Sequence, residues 1–245
     1  GGAKSAAGRA ASVNPTAVAQ NLTVYLGTNG QATTTAAAIN NGSSDNCGIA
    51  SITASPLTFN GTNLGANAVT LTVTDVKGNV GTATSTVTVI DNIAPTVITQ
   101  NTTVSIAANG QVSITPAQVN NGSFDNVGIT SLTVSPNTFS CSNLGPNTVT
   151  LTAVDASGNT SSSTAVVTVQ DITNPTIITR NITVNVNAAG IYNLVPSEVD
   201  NGSYDNCGIS NLGITRALFT CADVGQSFTI TLFGNDPSGN LGAAT

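Results

Sequence analysis

Eight of the eleven acidic residues in this chain stand on repeated positions. Asp45, Asp125 and Asp205 are 80 residues apart, each inside a loop that reads Asn-Gly-Ser-x-Asp-Asn. Asp75, Asp155 and Asp236 each precede a Gly-Asn turn, and Asp91 and Asp171 close an alternating run of valines. Acids are otherwise scarce, with Glu198 the one glutamate, so this placement is not solubility tuning. Carboxylates with neighbouring Asn side chains and carbonyls are hard oxygen donors of the kind that Ca²⁺ takes. The alternative is that each aspartate folds its own loop, because Asp and Asn side chains close turns routinely. Turn closure explains the first two sets well and Asp91 and Asp171 poorly.

The second reactive set is four cysteines. Cys207 and Cys221 flank one strand of the last repeat. Cys47 matches the first position with Gly61 opposite, and Cys141 matches the second with Val127 opposite. The pattern predicts a Cys207–Cys221 disulfide, kept once and half lost twice. A bridge closing so short a loop contributes roughly 3 kcal/mol in the chain-entropy model and implies an oxidising, extracytoplasmic compartment. The alternative is four buried thiols. With no histidine and no C-x-x-C pair, cysteine-based metal binding is not expected.

These residues need strands and turns to position them. Leu22, Val24 and Leu26 alternate before Asn29-Gly30, and Val104 and Ile106 do so before Asn109-Gly110. In the third repeat Ile182, Val184 and Val186 precede Ala189-Gly190. Asn-Gly between alternating hydrophobics predicts a β-hairpin. A segment such as Thr115-Pro116 to Val119 fits one capped helical turn. Val69, Leu71 and Val73 alternate up to Asp75, as Val149, Leu151 and Ala153 do up to Asp155. About seven short strands with intervening turns read as an immunoglobulin-like sandwich. The fold class expected is therefore all-β: tandem immunoglobulin-like β-sandwich domains in an elongated rod. The repeats would span residues 13–91, 92–171 and 172–245, the third lacking its last strand, after a flexible tail or the end of a preceding repeat at 1–12. The expected position of the Asp loops at one pole groups Asp91 with Asp125 and Asp155, and Asp171 with Asp205 and Asp236. A Ca²⁺ ion at each junction would stiffen it. Ala11 replaces the acid ahead of Asp45 and Asp75, which leaves that site incomplete.

Composition narrows the function classes. Charged residues are 7% and hydrophobic residues 40%, which is not a disordered composition. Five basic residues scattered singly make no patch for phosphates, so nucleic acid is not an expected partner. No run of 18 apolar residues suggests membrane insertion. The N-terminus shows no apolar signal core, so any signal peptide has been removed or lies upstream. Asp125 with Asp155 could in principle form a glycosidase dyad. Three near-copies, no histidine and few aromatic residues argue against an enzyme, since no nucleophile, base and orienting group can be named together.

The phrases "DNCGI", "FSCSNLGPNTVTLTAVDASGN" and "TVTVIDNIAPT" resemble hyalin-type (HYR-like) immunoglobulin-like tandem repeats of large secreted surface proteins, especially of Bacteroidetes. The resemblance covers residues 13–245. It implies an extracellular, cell-surface role as adhesin or spacer in a very long polypeptide, gliding-motility adhesins among them, with paired cysteines mapping onto Cys207 and Cys221. The expected function is thus a non-catalytic structural segment that projects a distal part away from the cell. Its partners would be neighbouring repeats, other copies in a filament or a surface ligand. Strands of this length make three units in line about 100 Å long, and Pro95 and Pro175 in the joints limit bending. The alternative is a glycan- or protein-binding module, using the Thr-rich strand faces that carry Thr70, Thr72, Thr150 and Thr152.

Overall fold

The computed structural model describes residues 13–245; the expected tail at 1–12, with Ala11, lies outside the described residues. The chain forms two compact units. One comprises the residues up to Val97 together with Gly122–Leu132 and Thr152–Ser162, and the other comprises Ile98–Asn121, Thr133–Leu151 and Ser163–Thr245. This division follows packing rather than the 80-residue period: the Asp125 loop and the Asp155 turn fold with the first repeat.

In the first unit the chain runs β1 (Leu22–Tyr25), β2 (Gln31–Thr33), α1 (Ala36–Ile39), β3 (Ile49–Ser55), β4 (Thr58–Asn60), β5 (Gly65–Asp75) and β6 (Val80–Ile90). One sheet has the order β1-β6-β5-β3 and the other pairs β2 with β4. The parallel pairing of β1 with β6, Leu22 opposite Val87, is the edge arrangement of an immunoglobulin-like sandwich. The Asn29-Gly30 turn does not make the expected hairpin. It carries the chain from one sheet to the other, because β1 finds its ladder on β6 and β2 finds its own on β4. Thr35 Oγ1 caps the single turn of α1 by accepting the Ala38 N–H at 3.2 Å.

The same order returns in β7 (Thr102–Ser105), β8 (Gln111–Ser113), α2 (Pro116–Val119), β9 (Ile129–Ser135), β10 (Thr138–Ser140), β11 (Gly145–Asp155) and β12 (Thr160–Gln170). Here β7 lies parallel to β12, and β8 pairs with β10. The last stretch holds β13 (Ile191–Asn193), α3 (Pro196–Val199), β14 (Asn211–Ile214), β15 (Leu218–Thr220), β16 (Leu232–Asn235) and β17 (Leu241–Ala244). The final strand is not missing altogether: β17 supplies its first four residues, paired with β16. Ile182, Val184 and Val186 form no strand, in contrast to their counterparts in β1 and β7. Ahead of β16, Arg216 stacks on Phe219 and Phe228, at 4.5 and 4.2 Å from their ring centroids, and pairs with Asp223 at 2.7 Å.

The core follows the period of two along the strands. Val69, Leu71 and Val73 face inward from β5 and Val87 and Val89 from β6, meeting Leu26, Ile39 and Phe59. The strands are therefore all-β sandwich material of the expected kind, with Val and Leu on the covered face and Thr on the other.

The disulfide differs from the expectation. Cys141 is bonded to Cys207, 66 residues away, while Cys47 and Cys221 are free and exposed. The reason is that β14 runs between Cys207 and Cys221 and carries them to opposite ends. Cys207 stays beside Asp205, whose Oδ2 accepts its N–H at 2.8 Å, whereas the Cys221 sulfur lies 3.6 Å from Gly190 O in the turn before β13. Nearness in sequence misled; the pair that meets joins the end of one repeat to the start of the next.

Candidate metal centre

The period of two also explains why carboxylates sit where side chains should be apolar. Val149, Leu151, Ala153 and Asp155 occupy one inward row of β11, and Val167, Val169 and Asp171 continue the inward row of β12. Each aspartate is the last residue of its row, so the strand delivers it to the end of the core. Asp91 is 3% exposed, Asp155 3%, Asp171 5% and Asp236 1%.

The structure brings together Asp91, Asp125 and Asp155, with one carboxylate oxygen of each within 4.8 Å of the others. Asp171, Asp205 and Asp236 make a second group of the same geometry. Each group lies wholly inside one compact unit. Among the described residues Asp45 and Asp75 join no such group.

Hydrogen bonds fix the orientation of every carboxylate in the first group. Asp91 Oδ1 accepts from Ile93 N and Asn126 Nδ2, both at 3.1 Å. Asp125 Oδ2 accepts from Val127 N at 2.9 Å and Gly128 N at 3.1 Å. Asp155 Oδ1 takes the N–H groups of Ser157 and Asn159, both at 2.8 Å. Two asparagines complete the frame. Asn159 Nδ2 donates to Asp155 Oδ2 at 2.8 Å and to Asp91 O at 3.1 Å. Asn126 Nδ2 also donates to Gly27 O at 3.1 Å, which turns its own Oδ1 the other way. What remains is three buried oxygens that accept nothing: Asp91 Oδ2, Asp125 Oδ1 and Asn126 Oδ1.

The second group repeats the asparagine frame, while Gly208 N donates to the backbone Asp205 O rather than to the Asp205 carboxylate. Asn206 Nδ2 donates to Asp171 Oδ1 at 3.2 Å and to Ala107 O at 3.3 Å. Asn240 Nδ2 donates to Asp236 Oδ2 at 2.7 Å and to Asp171 O at 3.1 Å. Asp171 Oδ2, Asp205 Oδ1 and Asn206 Oδ1 are left buried and unpartnered.

Electrostatics make this arrangement costly as it stands. Two unit charges 4 Å apart repel by about 4 kcal/mol at an effective dielectric of about 20, and each group holds three carboxylates. Among the described residues the one ion pair is Arg216 with Asp223, so no basic side chain compensates either group. A water could satisfy an acceptor but would bring no charge. A hard cation would do both, and Asp91, Asp125, Asp155 and Asn126 could hold one, as could Asp171, Asp205, Asp236 and Asn206. The donor set is all oxygen, which does not suit zinc or copper. The two asparagine pairs were the part of the site that sequence reasoning left unnamed. Their signal was the recurring Asp-Asn and Gly-Asn dipeptides.

The first repeat keeps half of this frame. Asp75 Oδ1 accepts from Lys77 N at 2.7 Å and Asn79 N at 2.8 Å. Burial acts to raise the Asp75 pKa, but the Asn79 side chain and the N–H groups of Asn79, Lys77 and Gly78 outweigh it and hold the carboxyl below its usual value.

No family model matches the chain, and no curated protein matches it. Solved structures that resemble it include human CDH23 EC21-23, at 13% identity and a TM-score of 0.38, with 94% of this chain and 99% of that one covered. Protocadherin Gamma B7 extracellular cadherin domains 1-4 match at 11% identity and a TM-score of 0.34, covering 94% and 74%. Likenesses this loose transfer no function.

Proposed function

We propose that this chain is a non-catalytic extracellular structural segment, a run of β-sandwich repeats whose joints are set by bound Ca²⁺. The observation that carries the reading is the set of six buried, unpartnered oxygens arranged identically in the two aspartate groups. Each group takes one aspartate from the end of a repeat and two from the loops of the next, so an ion there would fix one repeat against its neighbour. Ca²⁺ fits better than Mg²⁺, because it accepts a dehydrated cage of protein oxygens whereas Mg²⁺ keeps several waters. Carbonyls of the intervening turns and one or two waters would fill the remaining coordination positions. Such a segment would act as a spacer on a cell surface, holding a distal part of a longer polypeptide outward, in keeping with its resemblance to hyalin-type repeats. The disulfide supports an oxidising compartment. No described helix is long and apolar enough to cross a membrane.

Small-angle scattering in Ca²⁺ and in excess chelator tests the reading. A single narrow distance distribution in Ca²⁺ that broadens with chelator is expected; identical distributions in both would overturn it.

A further inference from the structure

The two aspartate groups differ in how the loop carrying their ligands is held. In the first, Asp125 Oδ2 accepts the N–H groups of Val127 at 2.9 Å and Gly128 at 3.1 Å. In the second, Asp205 Oδ2 accepts the Cys207 N–H at 2.8 Å, while the Gly208 N–H turns to Asp205 O at 3.3 Å. What the second loop has in place of that second tether is the disulfide. Cys207 directly follows Asp205 and Asn206, whose Oδ1 atoms are two of the three buried acceptors left open there. Its partner Cys141 opens the 3-10 turn Cys141–Asn143 after β10, which Asn143 Oδ1 closes by accepting the Ser140 N–H at 2.9 Å. The Cys141 sulfur also lies 3.4 Å from Asn206 O. The bond therefore anchors the stretch that carries both ligands to an element 66 residues earlier. In the first loop Val127 stands at the place of Cys207 and packs on the core and against Gly61, with no covalent tether.

We propose that the Cys141–Cys207 disulfide is a redox control on the second aspartate group alone. Oxidised, it holds Asp205 and Asn206 ready to take Ca²⁺; reduced, it weakens that group while Asp91, Asp125 and Asp155 keep their affinity. This rests on the Ca²⁺ reading above and adds to it the regulation of one of its two sites. The physical basis is pre-organisation. A cation that must order a loose loop binds more weakly by the free energy of that ordering, whereas a loop already fixed by a bond imposes little of it. On reduction, two electrons and two protons pass from a dithiol such as dithiothreitol to the two sulfurs. These become thiols, while the dithiol closes to its own disulfide. Because the bridge favours the cation, the cation favours the bridge by the same factor. Ca²⁺ at the second group therefore protects the bond against thiols.

The test is calorimetric titration of the whole chain with Ca²⁺, before and after reduction by dithiothreitol, once the exposed Cys47 and Cys221 have been alkylated. Asp91→Asn disables the first group so that the second is read alone, and Asp171→Asn does the reverse. Reduction should raise the Kd of the second group roughly tenfold, the low end of the range for outer-shell partners of a metal, and leave that of the first unchanged. A second measurement holds even where the reduced chain unfolds. In glutathione buffers, with the bridge followed by peptide mapping, Ca²⁺ should move the reduction midpoint of Asp91→Asn about 30 mV more negative, the equivalent of tenfold. It should not move that of Asp171→Asn. A second-group Kd indifferent to reduction would overturn the proposal and leave the Ca²⁺ reading standing. So would equal shifts at both groups, which mark general loosening. Chains that take up no Ca²⁺ at either group, oxidised or reduced, would overturn the Ca²⁺ reading and this proposal with it.

Discussion

Val127 lies against Gly61 at the position where, 80 residues on, Cys207 is bonded to Cys141. A Cβ at Gly61 would collide with the Val127 side chain, so glycine on one side and valine on the other make a fit that two cysteines make covalently elsewhere. Joint one is held by packing and joint two by a bond, on the same backbone frame.

That equivalence predicts an engineered bridge. Gly61→Cys combined with Val127→Cys should form a disulfide on oxidation, found by peptide mapping, and raise stability to unfolding by about 3–4 kcal/mol relative to the reduced form. Free thiols after oxidation would show that the two joints differ in backbone geometry.

Breaking the native bridge should cost a comparable amount. Cys141→Ser, or reduction of wild type, should lower stability by about 2–4 kcal/mol, read from denaturant midpoints. Cys221→Ser should leave the monomer's midpoint within about 0.5 kcal/mol of wild type, as for other exposed positions.

Asn159 touches Asp155 Oδ2 and Asp91 O through its amide and leaves the unpartnered Asp91 Oδ2 untouched. It therefore acts by orienting ligands. Asn159→Ala should weaken Ca²⁺ binding about 10–100-fold in calorimetry, the range found when outer-shell partners of a metal are removed. Its counterpart Asn240→Ala should do the same at the other group.

Much of this was legible in the sequence, and the errors have physical causes. The alternating runs ending in Asp155 and Asp171 showed strands, and placing the Asp loops at one pole of a sandwich gave the same two groups of three aspartates that lie together in the structure. Alternation alone does not say which strand a strand pairs with. Asn29-Gly30 therefore looked like a hairpin when it is a crossing between sheets. Cysteine spacing cannot give connectivity either: Cys207 and Cys221 are fourteen residues apart in the chain yet lie at opposite ends of one sandwich. The asparagine frame was hidden because Asn in a turn has an ordinary explanation.

Acid should destabilise the chelated protein. Backbone N–H of Thr220 and then Arg216 hold the Asp223 carboxyl low, the Tyr192 hydroxyl holds Glu198 low, and the Ser203 hydroxyl and N–H hold Asp200 low. Each folded value lies below the unfolded one, so the stabilisation is complete above the unfolded carboxylate range, at about pH 4. It is lost as pH falls through the folded values. Urea midpoints from pH 7 to 3 should hold steady and then drop below about pH 4; a midpoint that rises on acidification would contradict these contacts.

The central claim is most directly tested by thermal unfolding of the whole chain with Ca²⁺ and with excess chelator, for wild type and for the pair Asp91→Asn and Asp171→Asn combined. Asparagine keeps an oxygen to accept the Ile93 and Thr173 N–H groups, so turn closure survives while charge is lost. Wild type should gain about 2.7 kcal/mol per site at Ca²⁺ one hundredfold above Kd. The double variant should lose that gain, and in chelator it should be no less stable than wild type, because repulsion among the carboxylates is relieved. A wild-type midpoint indifferent to Ca²⁺, with the variant destabilised equally in both conditions, would contradict the account and leave the aspartates as turn formers.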